Sequence, residues 1–412
     1  MYFQITRKEE FLIMSIIETK PVELIMTPQI NYSDSVIYTL ADMITHPLNK
    51  AVFITLYRCG KYSMVTNALI RAAETMHIPV CVYVETNAAG MKDDNKDLAK
   101  YLRKHGCRVV TSTKNILGEN KVKKVHFKAC MNLADDASSF FYSTGNFSVP
   151  QGVNSEDICT KILLNDDPNA FYEMYTIFRR IFNDVFDFDS YDEFMLSKRD
   201  VIISGPDGKT SRYLQATRMR DITSVDEYYD AILYSIPYDR MSSVKLMHYL
   251  NNTQTEKHPI VIRMKTRSLS SAPFVKFINR IESLYDMDDI EMHILVKDHI
   301  GDGVKDMIKK YPNTIHLYSG KLRHGYNWHS NYCIINDSKL ILTSCNTDNW
   351  KKRFELAMLI DKYSLTYSCT DVDPDHTLVD EFDAEIANSC YELYTTEPKS
   401  FIEDYSYDVP NK

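Results

Sequence analysis

The sequence has no run of roughly eighteen apolar residues, so a conventional membrane-spanning helix is not expected. Its opening Met1-Tyr2-Phe3-Gln4, followed by Lys8, Glu9 and Glu10, lacks the basic-then-apolar order of a signal peptide. No CxxC pair occurs, and the nine cysteines are scattered without paired spacing. This speaks against a disulfide framework and for free thiols in a reducing cytoplasm. An excess of positive charge is also missing. The formal net charge of -8 argues against a general nucleic-acid coat. Low-complexity tracts are not evident.

What is present fits an ordinary globular chain, with 44% hydrophobic and 25% charged residues. A length of 412 residues is long for one core, so two domains are expected. Charge is unevenly placed. Acid gathers at 371–385 and 403–408, whereas base gathers at Lys121, Lys123, Lys124 and Lys128, at Lys321 and Arg323, and at Lys351, Lys352 and Arg353. A locally positive site on an acidic chain suits a phosphate-bearing substrate.

Periodicity gives the fold class. Residues 51–56 and 80–84 are apolar runs of the buried-strand type. Between them Val65, Leu69, Ala72, Ala73 and Met76 recur at helical spacing from Ser63 and stop before Pro79. A second helix begins at Asp94, carries Leu98, Tyr101 and Leu102, and closes at Gly106, with a strand at 108–110. The series returns later: strand at 259–262, helix at 274–284, strand at 290–296, helix at 304–311, strand at 314–318. Residues 169–188 read as helical, and the Asp-, Ser- and Gly-rich stretch 187–211 as the boundary. The expectation is an α/β protein of two tandem domains, 1–195 and 196–412. Each is a mixed, largely parallel sheet flanked by helices, and the two are related by internal duplication.

Each series ends in the same kind of segment. His126 and Lys128 precede Thr144 and Asn146; His329 and Asn331 precede Ser344 and Asn346. If these stretches are strands, residues i and i+2 share a face, so each half offers an imidazole beside amide, hydroxyl or ammonium donors. Phosphoryl transfer through histidine requires such a set. One neutral imidazole attacks phosphorus, donors hold the equatorial oxygens, and a second imidazole protonates the leaving oxygen. Asp157 follows the first segment and Glu355 the second, either being placed to accept from a far ring nitrogen and fix its tautomer. Other patterns carry less. Asp371-Val372-Asp373-Pro374-Asp375 lacks the glycine and terminal glutamate of a calcium loop. His316, His324 and His329 are poorly spaced for zinc.

The layout resembles the phospholipase D superfamily, whose repeated motif is HxK, then Asp, then Gly-Ser-x-Asn. Asn331, Asn336, Thr343-Ser344 and Asn346 follow His329 at that spacing. Within it, about residues 30–365 resemble the catalytic core of polyphosphate kinase, strongly over 51–188 and more weakly beyond 196, through Ile54-Thr55-Leu56-Tyr57-Arg58, Ala68-Leu69-Ile70-Arg71-Ala72-Ala73-Glu74, Val84-Glu85, Asn95, His126-x-Lys128, Ser143-Thr144-Gly145-Asn146-Phe147 and Ile181-Phe182-Asn183-Asp184-Val185-Phe186. The resemblance implies two phospholipase D-like domains, a phosphorylated nucleophile at His126 and a general acid/base at His329. It further implies phosphate contacts at Arg58, Lys297 and Arg353, and magnesium arriving with the substrate. Lys297 stands where the family has an arginine, keeping the charge but losing the bidentate fork.

Departures accompany the match. The family's Ala-Arg-Phe is Ala88-Ala89-Gly90 here, and its Tyr-Thr-Asp is Ser155-Glu156-Asp157, with the expected adenine-stacking aromatic replaced at Ser155. Counterparts of the family's N-terminal and helical domains are not found in this sequence, which leaves the oligomeric state open. The expected activity is phosphoryl transfer between polyphosphate and a nucleotide or related acceptor, an ATP-linked kinase chemistry. The alternatives are a metal-independent phosphodiesterase or nuclease, for which nucleic acid would be a partner, and a degenerate polyanion-binding module. No membrane partner is expected.

Overall fold

A computed structural model describes residues 23–26, 36–88, 90–112, 124–134, 138–147, 155–163, 174–175, 177–179, 181–188, 231–236, 259–320, 327–344, 353–361, 365, 367 and 375–393. The boundary expected near residue 195 lies outside these residues, as do the charge clusters at 121–123, 321–326 and 345–352.

The first sheet has the order β1-β9-β7-β6-β2-β3-β4. Its strands are β1 (Glu23–Met26), β2 (Asn49–Leu56), β3 (Val80–Val84), β4 (Arg108–Thr111), β6 (Lys128–Ala134), β7 (Ser139–Ser143) and β9 (Ile158–Leu163). β2 is apolar on both faces because both faces are covered. Val52, Ile54 and Leu56 pack under α1 (Val36–Ile44), α2 (Met64–Ile70) and α3 (Lys92–Lys104). Ala51 and Phe53 face the opposite side, where Phe53 meets the rings of Phe178, Phe182, Phe186 and Phe188.

The helices end where their residues dictate. Ser63 caps α2 by accepting from Thr66 N. Past Ile70 the helix widens into a π-turn over Arg71–Thr75 before Pro79. α3 has Asp93 and Asp94 in its first turn and Arg103 and Lys104 in its last, matching the helix dipole. Gly106, at φ +80°, closes it in a conformation that costs glycine little.

The second sheet follows β10-β17-β16-β15-β11-β12-β13-β18. Its strands are β10 (Ala231–Ile236), β11 (Ile260–Leu269), β12 (Ile290–Ile300), β13 (Ile315–Gly320), β15 (Tyr332–Ile335), β16 (Lys339–Thr343), β17 (Arg353–Asp361) and β18 (Cys390–Leu393). α4 (Ser271–Glu282) and α5 (Asp302–Lys310) cover one face, with Ile278, Ile281, Val304 and Ile308 in the core. α6 (Leu378–Ser389) covers the other, setting Leu378 and Phe382 into a core continuous with that of the first sheet.

Both sheets are mixed, but the largely parallel expectation needs correction. Along the main path of each sheet, parallel pairing occurs only in β2–β3–β4 and β11–β12–β13, where helices make the crossovers. The remaining in-sheet pairings are antiparallel. Some join strands distant in sequence, such as β2 with β6 and β11 with β15, and others are hairpins. β15 turns into β16 through Asn336 and Asp337, both at positive φ, and a hairpin can join only antiparallel strands.

Candidate active site at the seam between the sheets

Two short parallel ribbons tie the sheets together. β5 (Lys124–Val125) pairs with the start of β17, Lys124 opposite Arg353 and Val125 opposite Phe354. β14 (Asn327–Trp328) pairs with β8 (Ser155–Glu156) in the same sense. In each ribbon one strand runs directly into a histidine and its partner into an acid. His126 follows Val125 and His329 follows Trp328; Glu355 follows Phe354 and Asp157 follows Glu156.

Each imidazole then reaches into the other half. His126 Nδ1 donates to the Ser344 carbonyl oxygen at 3.1 Å, and His329 Nδ1 to the Thr144 carbonyl oxygen at 3.1 Å. A carbonyl oxygen can only accept. Both neutral rings therefore carry their hydrogen on Nδ1 and keep a lone pair on Nε2.

The carbonyls are themselves held by one repeated pattern. Thr144 N donates to Ile158 O at 3.1 Å, and Ile158 N returns to Thr144 Oγ1 at 3.1 Å. Ser344 N donates to Leu356 O at 3.1 Å, and Leu356 N returns to Ser344 Oγ at 3.2 Å. The hydroxyls, read from sequence as phosphate donors, are thus engaged with the sheet. What Thr144 and Ser344 give the site is a backbone acceptor.

The surroundings of the two rings differ. His126 is 4% exposed, with the Tyr57 ring nearly perpendicular to it and 4.5 Å away, centre to centre. Lys128 is buried, its ammonium 5.3 Å from the centre of the same Tyr57 ring. His329 is more open, its side chain 16% exposed, and its Nδ1 lies 3.6 Å from Asp157 Oδ1. Asp157 is buried and accepts from Thr144 Oγ1 at 2.9 Å. The structure thus sets Asp157 beside the distal histidine rather than the one nearer in sequence.

The remaining expected residues fall as follows. Asn146 is buried just beyond β7. Asn331 spends its amide on neighbouring chain segments: Nδ2 donates to His329 O at 3.2 Å, and Oδ1 accepts from Thr266 Oγ1 and Arg267 N, both at 3.2 Å. It shapes the His329 segment. Arg58 is exposed at the end of β2 beside Tyr57, and Lys297 is half-buried in β12. Arg353 and Glu355 are fixed in the backbone of β17, and Asn346 and Ala89 lie outside the described residues.

One expectation about local shape is corrected. Neither histidine lies within a strand. β5 ends at Val125 and β6 starts at Lys128; β14 ends at Trp328 and β15 starts at Tyr332. The break is stabilised from β2, where Thr55 Oγ1 donates to Phe127 O at 2.9 Å and accepts from Ala129 N at 3.0 Å. A chain leaving one sheet's ribbon for another sheet's strand has to turn, and the histidine sits at that turn.

Sequence reading assigned no role to the residues that hold these turns. Tyr83 OH accepts from Val125 N at 3.2 Å and donates to Glu85 at 2.8 Å, and burial pushes the Tyr83 hydroxyl well above its ordinary range. Asn95 donates to Tyr57 O at 2.8 Å and Glu85 O at 2.7 Å. A Cβ on Gly145 would collide with the Asp157 carboxylate, so glycine is what lets that carboxylate approach. Cys59, Cys81, Cys107, Cys130, Cys159 and Cys333 are free and buried. Burial pushes the Cys81, Cys107 and Cys333 thiols up to about 12, which makes them poor nucleophiles beside imidazole. Among the described residues no cluster of three or more metal-ligating side chains occurs, and no helix is long and apolar enough to cross a membrane.

Residues 12–184 match the family model described as polyphosphate kinase C-terminal domain 1. The fold is similar to polyphosphate kinase from Porphyromonas gingivalis, with a TM-score of 0.58 and 18% identity, covering 92% of this chain and 53% of that one. The chain therefore spans about half the length of that kinase. It is also similar to phosphatidylserine synthase from Haemophilus influenzae Rd KW20, with a TM-score of 0.53 and 12% identity, covering 90% and 87% of the two chains. No curated protein sequence matches.

Proposed function

From the match of residues 12–184 to polyphosphate kinase C-terminal domain 1, we propose that this chain is a phosphotransferase working through phospho-His126. The observation that carries the reading is the pair of Nδ1–H···O=C bonds, each made to the opposite half, because in the neutral ring they put the hydrogen on Nδ1 and the lone pair on Nε2, the nitrogen that attacks or takes up a proton. In the first step His126 Nε2 forms an N–P bond with a terminal phosphate of the donor. The bridging P–O bond breaks, and the leaving oxygen takes a proton from His329 Nε2–H. In the second step an acceptor phosphate oxygen attacks phosphorus, its proton returning to His329, and the N–P bond breaks.

The two environments support this division. Asp157 beside His329 stabilises the ring when it carries a second proton, as a general acid must. His126, the attacking ring, is buried against Tyr57, with the Lys128 ammonium over the same Tyr57 ring. Lys128, Arg58, Lys297 and Arg353 supply positive charge for a polyphosphate or nucleotide phosphate. Asp157 is already committed to Thr144 and His329, so the described side chains offer no carboxylate cage. Magnesium would be held by the substrate's own phosphate oxygens, where it neutralises charge.

A second reading, phosphodiester hydrolysis, is favoured by Ser155, which offers no ring for a nucleobase. Labelled ATP and labelled polyphosphate separate the two. The transferase reading predicts acid-labile, alkali-stable phosphate on the wild type and none on His126→Ala. Absence of label with either donor, together with cleavage of a simple phosphodiester in chelator, would replace it with the second.

A further inference from the structure

Behind His329 three ionisable side chains meet that the chemistry above does not use. Lys265, on β11, is fully buried, and its ammonium donates to the carboxylates of Glu156 on β8 and Glu385 on α6. An ammonium in such a place is tolerated only when its hydrogen bonds are met by opposite charge.

Glu156 connects this triad to the site by three routes. Its carbonyl oxygen accepts from His329 N at 2.9 Å. Its Oε1 lies 3.5 Å from Ser330 Oγ, on the residue after His329. It also precedes Asp157, which flanks the His329 ring. Other groups facing the triad are Glu381 on α6, Tyr332 on β15 and Tyr367. In the register of the sheets Lys265 pairs with Tyr332, three residues after His329. The matching place in the first half is Thr55, which braces the chain after His126.

We propose that Lys265 is a positioning residue for His329, acting through Glu156. Its ammonium pins the Glu156 side chain and so fixes the β8–β14 ribbon, the backbone of His329 and the carboxylate of Asp157. The inference rests on His329 belonging to the site, but its principal readout does not depend on turnover.

The test is the tautomer of each imidazole in 15N-histidine-labelled protein, with resonances assigned from His126→Ala and His329→Ala. The wild type should show both rings as Nδ1–H. Glu156→Ala keeps the Lys265–Glu385 pair balanced. It should turn His329 into a tautomer mixture while His126 is unchanged, and lower kcat about 10-fold or more with KM nearly constant. Glu156→Gln, which still accepts from Lys265, should retain both signatures. If Glu156→Ala does not fold, the triple variant K265M/E156A/E385L, which leaves no buried charge in the triad, is judged by the same criteria. An unchanged His329 ring in the folded variant overturns the proposal, and so does equal loss at both histidines. Correct tautomers in a protein that transfers no phosphate would sink the activity reading alone.

Discussion

An imidazole serves phosphoryl transfer when one nitrogen holds the hydrogen and the other carries the lone pair. At His126 and His329 the assignment is made by backbone carbonyls, which have no proton to offer and so leave no ambiguity of tautomer. Gly145 shows how closely this geometry is drawn. Gly145→Ala would push the Asp157 carboxylate away from its place beside His329 and Thr144. The expected outcome is a fall in kcat of about 10-fold or more with substrate affinity largely kept, measured by steady-state kinetics. Wild-type kinetics in this variant would remove Asp157 from the orienting role. In the sequence, Gly145 was visible only as part of a motif, because its neighbour in space lies on another segment.

At the scale of elements, periodicity made the helices and the parallel strands legible. Val65, Leu69 and Ala72 marked α2, and continuous apolar runs marked β2 and β3. The ribbons β5 and β8 were not legible, being two residues long and paired with segments far along the chain. Nor was the Lys265 triad, since a lysine within an apolar strand betrays its burial only when its partners are known.

That triad has a pH signature. Burial pushes the Glu156 carboxyl up to about 7 from 4.5, with Lys265 opposing the rise and Glu385 adding to it. The folded chain thus holds a proton that the unfolded chain releases. Its contribution to stability is full below pH 4.5 and is lost as pH rises through about 7. Lys265 is raised from 10.5 and so titrates outside this window. Thermal unfolding should therefore show Glu156→Gln gaining on the wild type between pH 4.5 and 7, with a constant difference above about 8. A difference that stays flat across the whole range would contradict the assignment.

At the scale of the molecule, the net charge of -8 coexists with a buried lysine, Lys128, two residues from His126, so anion binding under the proposed function would be a local property rather than one of the whole chain. One apolar core runs from Leu24 and Phe53 through Tyr142 to Leu356 and Phe382, joining the two sheets. Calorimetry should accordingly give one unfolding transition, and two separable transitions would show that the halves fold independently. The most direct test of the account is the chemical identity of the phosphoenzyme. Protein quenched in alkali after exposure to labelled polyphosphate or ATP should carry phosphate on Nε2 of His126, because Nδ1 is committed to Ser344. Phosphate on Nδ1 of His126, on another residue, or on His126→Ala would contradict it.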